Sequence, residues 1–467
     1  MAPSLNLIES KRRQQNQIIT RLQDYILSYG YALIDLPIIQ PADLFLTKVG
    51  DELINKLFTF ERFGQQLALR PEFTASAAFH FAQQKTNQVV RWQFAGPIFI
   101  DDPNNFTHDY QQQSLGAELI GLDSAIADAE IIALAVKGLD TIGATGGYLK
   151  LGHVGLIRQL LTHFKLDSRT ERFLLNHLSA FKDAQLGKSY IIEQLEKSLL
   201  GTSMPAVDLN PVAISEQNMD YTTQEALGLL LDATQRGMTM GGRSRHDIAR
   251  RLLQKHRRIA DKEHILQAVD FLENLSSISD YSLAEGLSRL ETLVKDYNLA
   301  AQGQLDNWRD IIDLLAAYDI PVDRIRLHPE LVRGWDYYTG AVFELYSADG
   351  VHLGGGGRYD ELIALVGNSA SIPAVGFAYY LDDLLAVMPN NDSPSQVLYR
   401  LVINPEAVHQ VSWWAHHLRE QGVHVMLTAE SPEMDTIFVN DAGQAVFQGN
   451  TYSDSQLRSL ISDLQQR

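Results

Sequence analysis

The sequence predicts an α+β protein: an antiparallel β-sheet flanked by helices, interrupted by a helical insertion and followed by a small α/β tail. Three observations carry this. Strand-like runs gather at residues 31–153 and return near residue 321, while 155–320 reads as helix almost throughout. The segment PNNDSPSQ at 389–396 has the composition of a linker. Beyond it, short strand and helix signals alternate to the end of the chain. The expected division is 1–154 and 321–393 for two parts of a core, 155–320 for the insertion and 394–467 for the tail. A chain of 467 residues is about three times the usual ~150-residue domain, which fits this partition.

The elements follow in order. Ile18, Leu22 and Ile26 recur at helical spacing and stop at Gly30, a natural C-cap. YALIDLPII reads as a strand, with Pro37 at its edge or end. KLFTFERF and QLALR follow as short strands, and a helix opens near Thr74. Residues 88–100 and 112–121 read as a long antiparallel pair joined by the polar loop DDPNNFTHDY. Asp123 is positioned to cap a helix running to about 140, and YLKLGH returns to strand. After the insertion come DRIRLHPELV, AVFELYS, a four-glycine run at 354–357, and AVGFAYYL entering a final helix of the core.

Composition excludes several functions. Hydrophobic residues make up 45% and charged residues 21%, too apolar for a disordered chain. With no cysteine there is no disulfide scaffold, thiolate metal site or cysteine nucleophile. Against 57 Asp and Glu stand 39 Lys and Arg, a net charge of −18, which makes nucleic acid a poor partner unless basic residues cluster. MAPSLNLIESKRRQQ lacks the apolar core of a signal peptide, and no uncharged apolar run approaches the ~20 residues of a membrane span, so a cytoplasmic protein is expected. No lysine-containing phosphate-loop pattern accompanies the glycine run, which alone reads as a tight hairpin. RSRHDIARRLLQKHRRIADK (243–262) is the one basic concentration; it suits a docking helix or a solvated helix face, apolar along Ile248, Leu252 and Leu253. His416 and His417 are adjacent, so on a helix they diverge by about 100° and do not suit a metal.

Six segments, in order, resemble a known family. YGYALIDLPIIQPADLF is similar to the first motif of class II aminoacyl-tRNA synthetases, and ALRPEFTASAA to the histidine-pocket segment of histidyl-tRNA synthetases. FAGPIFI with GAELIG resembles the second motif. LVRGWDYYTGAVFE and GGGGRYDEL resemble the two histidine-specific signatures, and AVGFAYYLDDLL the third motif. The match spans roughly residues 10–390, and the helical block sits where that family carries its insertion. The resemblance implies the class II synthetase-like antiparallel sheet and at least a homodimer.

The departures bear on function. Amino-acid activation holds ATP, with about four negative charges, while a carboxylate attacks its α-phosphorus, and cationic clamps supply position and neutralisation. The family's two arginine clamps fall on Ile100 and Asp383 here. A carboxylate ~4 Å from a phosphate oxygen costs several kcal/mol at an effective dielectric near 20, where an arginine would gain as much. The histidine half is retained by resemblance: Glu72 and Thr74 at the ammonium, Glu118 at the imidazole, Arg333 at the α-carboxylate, Tyr338 and Tyr359 lining the pocket. That set is chemically coherent, since an amino acid needs acceptors for its ammonium and a fork donor for its carboxylate. Ser114 replaces the family's glutamine, and Phe73 replaces a glycine and narrows the pocket. Read without the family, Arg333 also suits an ion pair with an acid such as Asp336, Glu72 and Glu118 suit surface carboxylates, and the tyrosines suit a core.

The combination is similar to the regulatory subunits of ATP phosphoribosyltransferase, synthetase-like paralogues without aminoacylation. The resemblance implies a non-catalytic chain with no cofactor, a short-form ATP phosphoribosyltransferase catalytic subunit as partner, and L-histidine as the feedback effector of the first step of histidine biosynthesis. The tail is short for an anticodon-binding domain. Two other functions stand beside it: a histidine–tRNA ligase with unorthodox ATP-binding residues, and a synthetase-like RNA-binding adaptor.

Overall fold

The computed structural model describes residues 5–46, 56–84, 88–101, 110–183, 186–197, 262–297, 301–334, 337–367, 370–388, 399–429 and 435–465. The linker at 389–396, most of the loop 101–110, Asp336, and the basic stretch except its last residue lie outside these. Lys262 pairs with Glu196 at 2.9 Å. Among the described residues no helix is long and apolar enough to cross a membrane.

Helix α1 (Leu5–Ser28) ends before Gly30, whose φ of +84° turns the chain. YALIDLPII then departs from the expected single strand. It divides into β1 (Ala32–Leu33) and β2 (Ile39–Pro41), which join different sheets. β2 pairs with the hairpin of β3 (Thr59–Arg62) and β4 (Gln65–Leu69) as a three-stranded sheet in the order β2-β4-β3. Its inner face carries Gln40 and Ala68. Its outer face carries Ile39, Pro41, Phe60, Leu67 and Leu69, with Ile39 52% and Phe60 37% exposed.

From β4 the chain enters α2 (Thr74–Gln84) and then the long antiparallel pair β5 (Val90–Phe99) and β6 (Gln111–Ile120). Helix α3 (Ala125–Ile142) is capped by Ser124, whose hydroxyl accepts from the Ala127 amide, and not by the expected Asp123. It is apolar on nearly every side and buried, as a helix beneath a sheet must be. β7 (Tyr148–His153) follows. Helices Val154–Leu161, Ser168–Asn176, Gly187–Leu195, Lys262–Ser277, Leu283–Asp296 and Gln302–Ala317 come next, and their apolar faces join the core below the sheet. The core closes with β8 (Ile325–Leu327), β9 (Ala341–Tyr346), β10 (His352–Arg358), β11 (Ala374–Tyr380) and α4 (Leu381–Val387).

The large sheet runs β1-β5-β6-β11-β10-β9-β7-β8. Its six central strands are antiparallel, and the two outermost strands pair parallel to their neighbours. Alternation gives it two faces. Leu115, Ala117, Leu119, Phe343, Leu345, Phe377 and Tyr379 point down onto α1 and α3, and Tyr379 Oη reaches Ala135 O at 2.5 Å. The opposite face carries the site. Residues 11–388 form one compact unit, and the tail belongs to a second.

In the tail, β12 (Tyr399–Val402), α5 (Val408–Glu420), β13 (Val425–Thr428), β14 (Thr436–Val439), β15 (Ala445–Phe447), β16 (Asn450–Tyr452) and α6 (Leu457–Gln465) form a small α/β domain. Its sheet order is β13-β12-β14-β15-β16, over a core around Trp414, Leu418, Leu401 and Ile437. His416 faces Glu420 at 3.4 Å while His417 Nδ1 contacts Trp413 O at 2.8 Å, so the two rings serve different neighbours. Among the described residues no group of acids and histidines has the arrangement of a metal site.

Candidate functional site

The upper face of the large sheet is floored by glycine. In register across the strands, Glu118 on β6 faces Gly376 on β11, then Gly357 on β10 and Val342 on β9. One step along, Gly116, Ala378, Gly355, Glu344 and Lys150 form the next row. A methyl group at Gly376 would collide with the Glu118 carboxyl, one at Gly355 with the Arg333 guanidinium, and one at Gly357 would meet Tyr338 Cδ1 at 3.0 Å. The four-glycine run is therefore a strand whose missing side chains make room for the site residues.

Two carboxyls mark one end. Glu118 is fully buried. Its Oε1 accepts from Thr74 Oγ1 at 2.7 Å and its Oε2 from Tyr359 Oη at 2.6 Å. Burial pushes its carboxyl up to about 8, against the pull of those two hydroxyls, and the nearby Glu72 adds to the rise. Glu72, half-buried, caps α2: its carboxylate accepts from the Ala75 amide at 2.8 Å and from the Thr74 amide. Burial raises Glu72 to about 7 while those amides pull it down. Tyr338 and Tyr359 are buried beside the pair, with Tyr337 packed between them at ring separations of 4.7 Å and 5.9 Å.

The wall toward β5 is a three-layer stack. Phe73 lies between the Phe94 ring, 4.3 Å away and nearly parallel, and the Arg70 guanidinium at 4.0 Å. Arg70, which sequence reasoning passed over, is buried and donates to Leu36 O at 2.5 Å and Pro97 O at 2.8 Å, tying the end of β4 to β5. Phe73 thus forms packed wall rather than a loose obstruction.

Arg333 marks the other end, in the loop before β9. It donates to Phe343 O at 3.2 Å and to Tyr380 Oη at 3.4 Å, and lies 3.5 Å from Glu344 Oε1. Its acid partner among the described residues is thus Glu344. Its Nε is buried with no acceptor. Glu344, Tyr346, His352 and Tyr380 surround it, and none was singled out from sequence. The alternation of AVFELY carried a signal for the first two, a charge and a hydroxyl sharing one face of an otherwise apolar strand. Ser114 is buried on β6 in register with Gly96 and Tyr380.

The two expected clamp positions lie at the end of β5 and on the helix after β11. Ile100 follows the last residue of β5, half-buried, its amide donating to Tyr110 O at 3.0 Å. Asp383 is exposed in the first turn of α4, next to Asp382, whose carboxylate accepts from the Gln113 amide at 3.1 Å.

A buried ion pair supports the floor from below. Arg358, the last residue of β10, meets Asp128 at the start of α3 through Nε and Nη2 at 3.0 Å, and reaches Asp360 at 3.1 Å. Burial lifts Asp128 to about 6 even with the arginine beside it.

Comparison with known proteins identifies the family. A family model described as histidyl-tRNA synthetase matches residues 6–236 and 214–384. An ATP phosphoribosyltransferase regulatory subunit from Allorhizobium ampelinum is 30% identical over 369 residues, covering 77% of this chain and 95% of the relative. A histidine–tRNA ligase from Pyrobaculum arsenaticum is 25% identical over 433 residues, covering 91% and 85%. A solved structure, titled an ATP phosphoribosyltransferase regulatory subunit/histidyl-tRNA synthetase from Bacillus halodurans, shares the fold with a TM-score of 0.63 at 20% identity, covering 91% of this chain and 94% of that one. The chain belongs to the histidyl-tRNA synthetase-like family whose members include the ATP phosphoribosyltransferase regulatory subunits.

Proposed function

We propose that this chain is a regulatory subunit of an ATP phosphoribosyltransferase: it binds free L-histidine, catalyses nothing itself, and assembles with a short-form catalytic subunit to make the first step of histidine biosynthesis inhibitable. One observation carries the reading. The sheet face offers a buried and a half-buried carboxyl at one end and an arginine at the other, and by resemblance Ile100 and Asp383 take the positions of the family's two ATP-clamping arginines. Glu72 and Thr74 take the ammonium, Glu118 the imidazole, Arg333 the carboxylate, and Tyr338 and Tyr359 wall the ring. Two neighbouring carboxyls held up by burial gain most from a cationic group entering beside them.

Feedback requires histidine to bind the inhibited assembly more tightly than the active one, by a coupling of about 1–3 kcal/mol. The test is phosphoribosyl transfer by a short-form catalytic chain, with and without this protein and with and without histidine. Unchanged rate and unchanged histidine sensitivity overturn the reading. The apolar outer face of the small sheet supports assembly through that side, as a homodimer within the larger complex. Ile39→Glu together with Phe60→Glu should lower the mass seen in sedimentation.

The ligase reading rests on the histidine pocket that both families share. It predicts histidine-dependent exchange of pyrophosphate into ATP. The adaptor reading has less support: residues 394–467 hold four arginines and no lysine against eight acids, which repels a phosphate backbone.

A further inference from the structure

Arg333 does not stand alone at its end of the cleft. Glu344 Oε1 is 3.5 Å from its Nη1, and the same oxygen is 3.8 Å from His352 Nε2. Glu344 Oε2 accepts from Tyr346 Oη at 2.8 Å, which fixes the carboxylate. Tyr346 is itself held in a stack, between Tyr148 at 5.2 Å and the His352 ring at 5.0 Å, with Lys150 Nζ 4.5 Å from its centroid. His352 then meets Tyr380 edge-on at 5.2 Å, and Tyr380 returns to Arg333.

His352 reaches this cluster through a bulge. Regular alternation along β10 would place it with Gly354 and Gly356, on the opposite side from Gly355 and Gly357. The register slips between His352 and Gly354, so that His352 pairs with Tyr346 while Gly355 pairs with Glu344. His352, Gly355 and Gly357 therefore share the site face. The bulge turns Leu353 into the core below the sheet, 1% exposed, and by the same change of parity re-aims His352 to the site face.

We propose that Glu344 and His352 are positioning residues for the ligand's carboxylate: Glu344 fixes the Arg333 guanidinium, and a proton on His352 takes up the charge of Glu344 so that Arg333 meets the carboxylate uncompensated. This rests on the histidine-binding reading of the same site. The charged and titratable groups facing His352 are Glu344 and Tyr346 from β9, Arg333 from the loop, Lys150 and Tyr148 from β7, and Tyr380 from β11. Burial, with Arg333 and Lys150, disfavours its cation, and Glu344 favours it. The switch therefore lies on the acid side of an ordinary histidine, below about pH 6.5. Arg333 keeps its charge throughout.

The test compares wild type with His352→Asn and His352→Gln, using histidine and histamine as ligands, by calorimetry from pH 8 to pH 5. Comparing proteins with one ligand cancels the ligand's own titration. For histidine, the affinity ratio of wild type to variant should grow from near one at pH 8 to about tenfold at pH 5, consistent with one charge a few ångströms from another in a half-buried site. For histamine, which has no carboxylate, the ratio should stay flat. Glu344→Gln should abolish the pH dependence of the histidine ratio. A histidine ratio that does not move with pH while histidine still binds overturns this proposal and leaves the site reading intact. Absence of histidine binding to the wild type overturns both. Two substitutions at 352 guard against one that fails to fold.

Discussion

Tyr359 donates its hydroxyl to Glu118 at 2.6 Å, and both side chains are shut away from water. The second oxygen of the carboxyl is taken by Thr74. An acid so placed is held, not exposed, yet burial still lifts it to about 8 because no full positive charge answers it. The carboxyl is therefore poised to answer an incoming cation.

The first consequence concerns stability without ligand. A carboxyl raised in the folded state binds its proton more tightly there than in the unfolded chain. Folded protein thus holds the extra proton between the ordinary carboxyl value and about pH 8, and stability falls as pH rises through that window. The slope approaches ~1.4 kcal/mol per pH unit for one such group. Urea unfolding from pH 5 to pH 8 should show the decline in wild type and a flatter curve in Glu118→Gln.

Histidine should reverse this. When an ammonium or imidazole donor enters, Glu72 and Glu118 are favoured as carboxylates and release protons near pH 7. Calorimetry in buffers of different ionisation enthalpy should give a net release, with apparent enthalpies that track the buffer. Glu118→Gln should lose most of that dependence along with affinity.

Arg333 is the next target. Its Nη groups make only long contacts, 3.2 to 3.5 Å, and its Nε none, so its donors are available to a carboxylate. Arg333→Ala should weaken histidine by roughly 1.5–3 kcal/mol, about ten- to a hundredfold. Arg333→Lys should recover little, because a point ammonium cannot present the planar fork. Affinity unaltered in both variants would place the carboxylate elsewhere.

Sequence periodicity carried the large sheet, the insertion and the tail, because long amphipathic runs are decided locally. It failed where tertiary pairing decides. YALIDLPII has the apolar content of one strand, but Ile34 already bonds to Gln93 O while Ile39 pairs with Leu69, so two sheets divide it. Ser124 outcompetes Asp123 as a cap because its backbone is the extended residue before the first turn. Glu72, Thr74, Glu118, Tyr338 and Tyr359 came from the family resemblance, and they converge at one end of the floor. Of the neighbours of Arg333, His352 was hidden, since the bulge that places it lies at Leu353, just ahead of a glycine run with no side chains to reveal the change of parity.

Arg358 separates support from binding. It joins β10 to α3 through Asp128, away from the ligand face, and both partners are buried. Arg358→Ala leaves Asp128 and Asp360 uncompensated and should cost about 3–5 kcal/mol of folding stability. Thermal unfolding should fall by many degrees while the surviving folded fraction binds histidine with unchanged affinity. A selective loss of affinity at unchanged stability would move Arg358 into the site.

The nucleotide side yields the last prediction. Asp383 is exposed in the first turn of α4; Ile100, just past β5, is half-buried against the apolar cluster, where the stem of an arginine can cover the same surface and leave its head in water. Replacing an acid by an arginine ~4 Å from a phosphate changes a repulsion of several kcal/mol into an attraction of similar size at an effective dielectric near 20. Ile100→Arg with Asp383→Arg should therefore raise ATP affinity by at least tenfold over the wild type in equilibrium binding. Catalysis should not return with it, since activation also needs the α-phosphorus held in line with an attacking carboxylate, and a general gain in cationic charge does not supply that geometry. Exchange of pyrophosphate into ATP should stay at background in the double variant. Wild-type protein that already binds ATP tightly, with the double variant no tighter, would mean that cations from outside the described residues serve this side of the cleft.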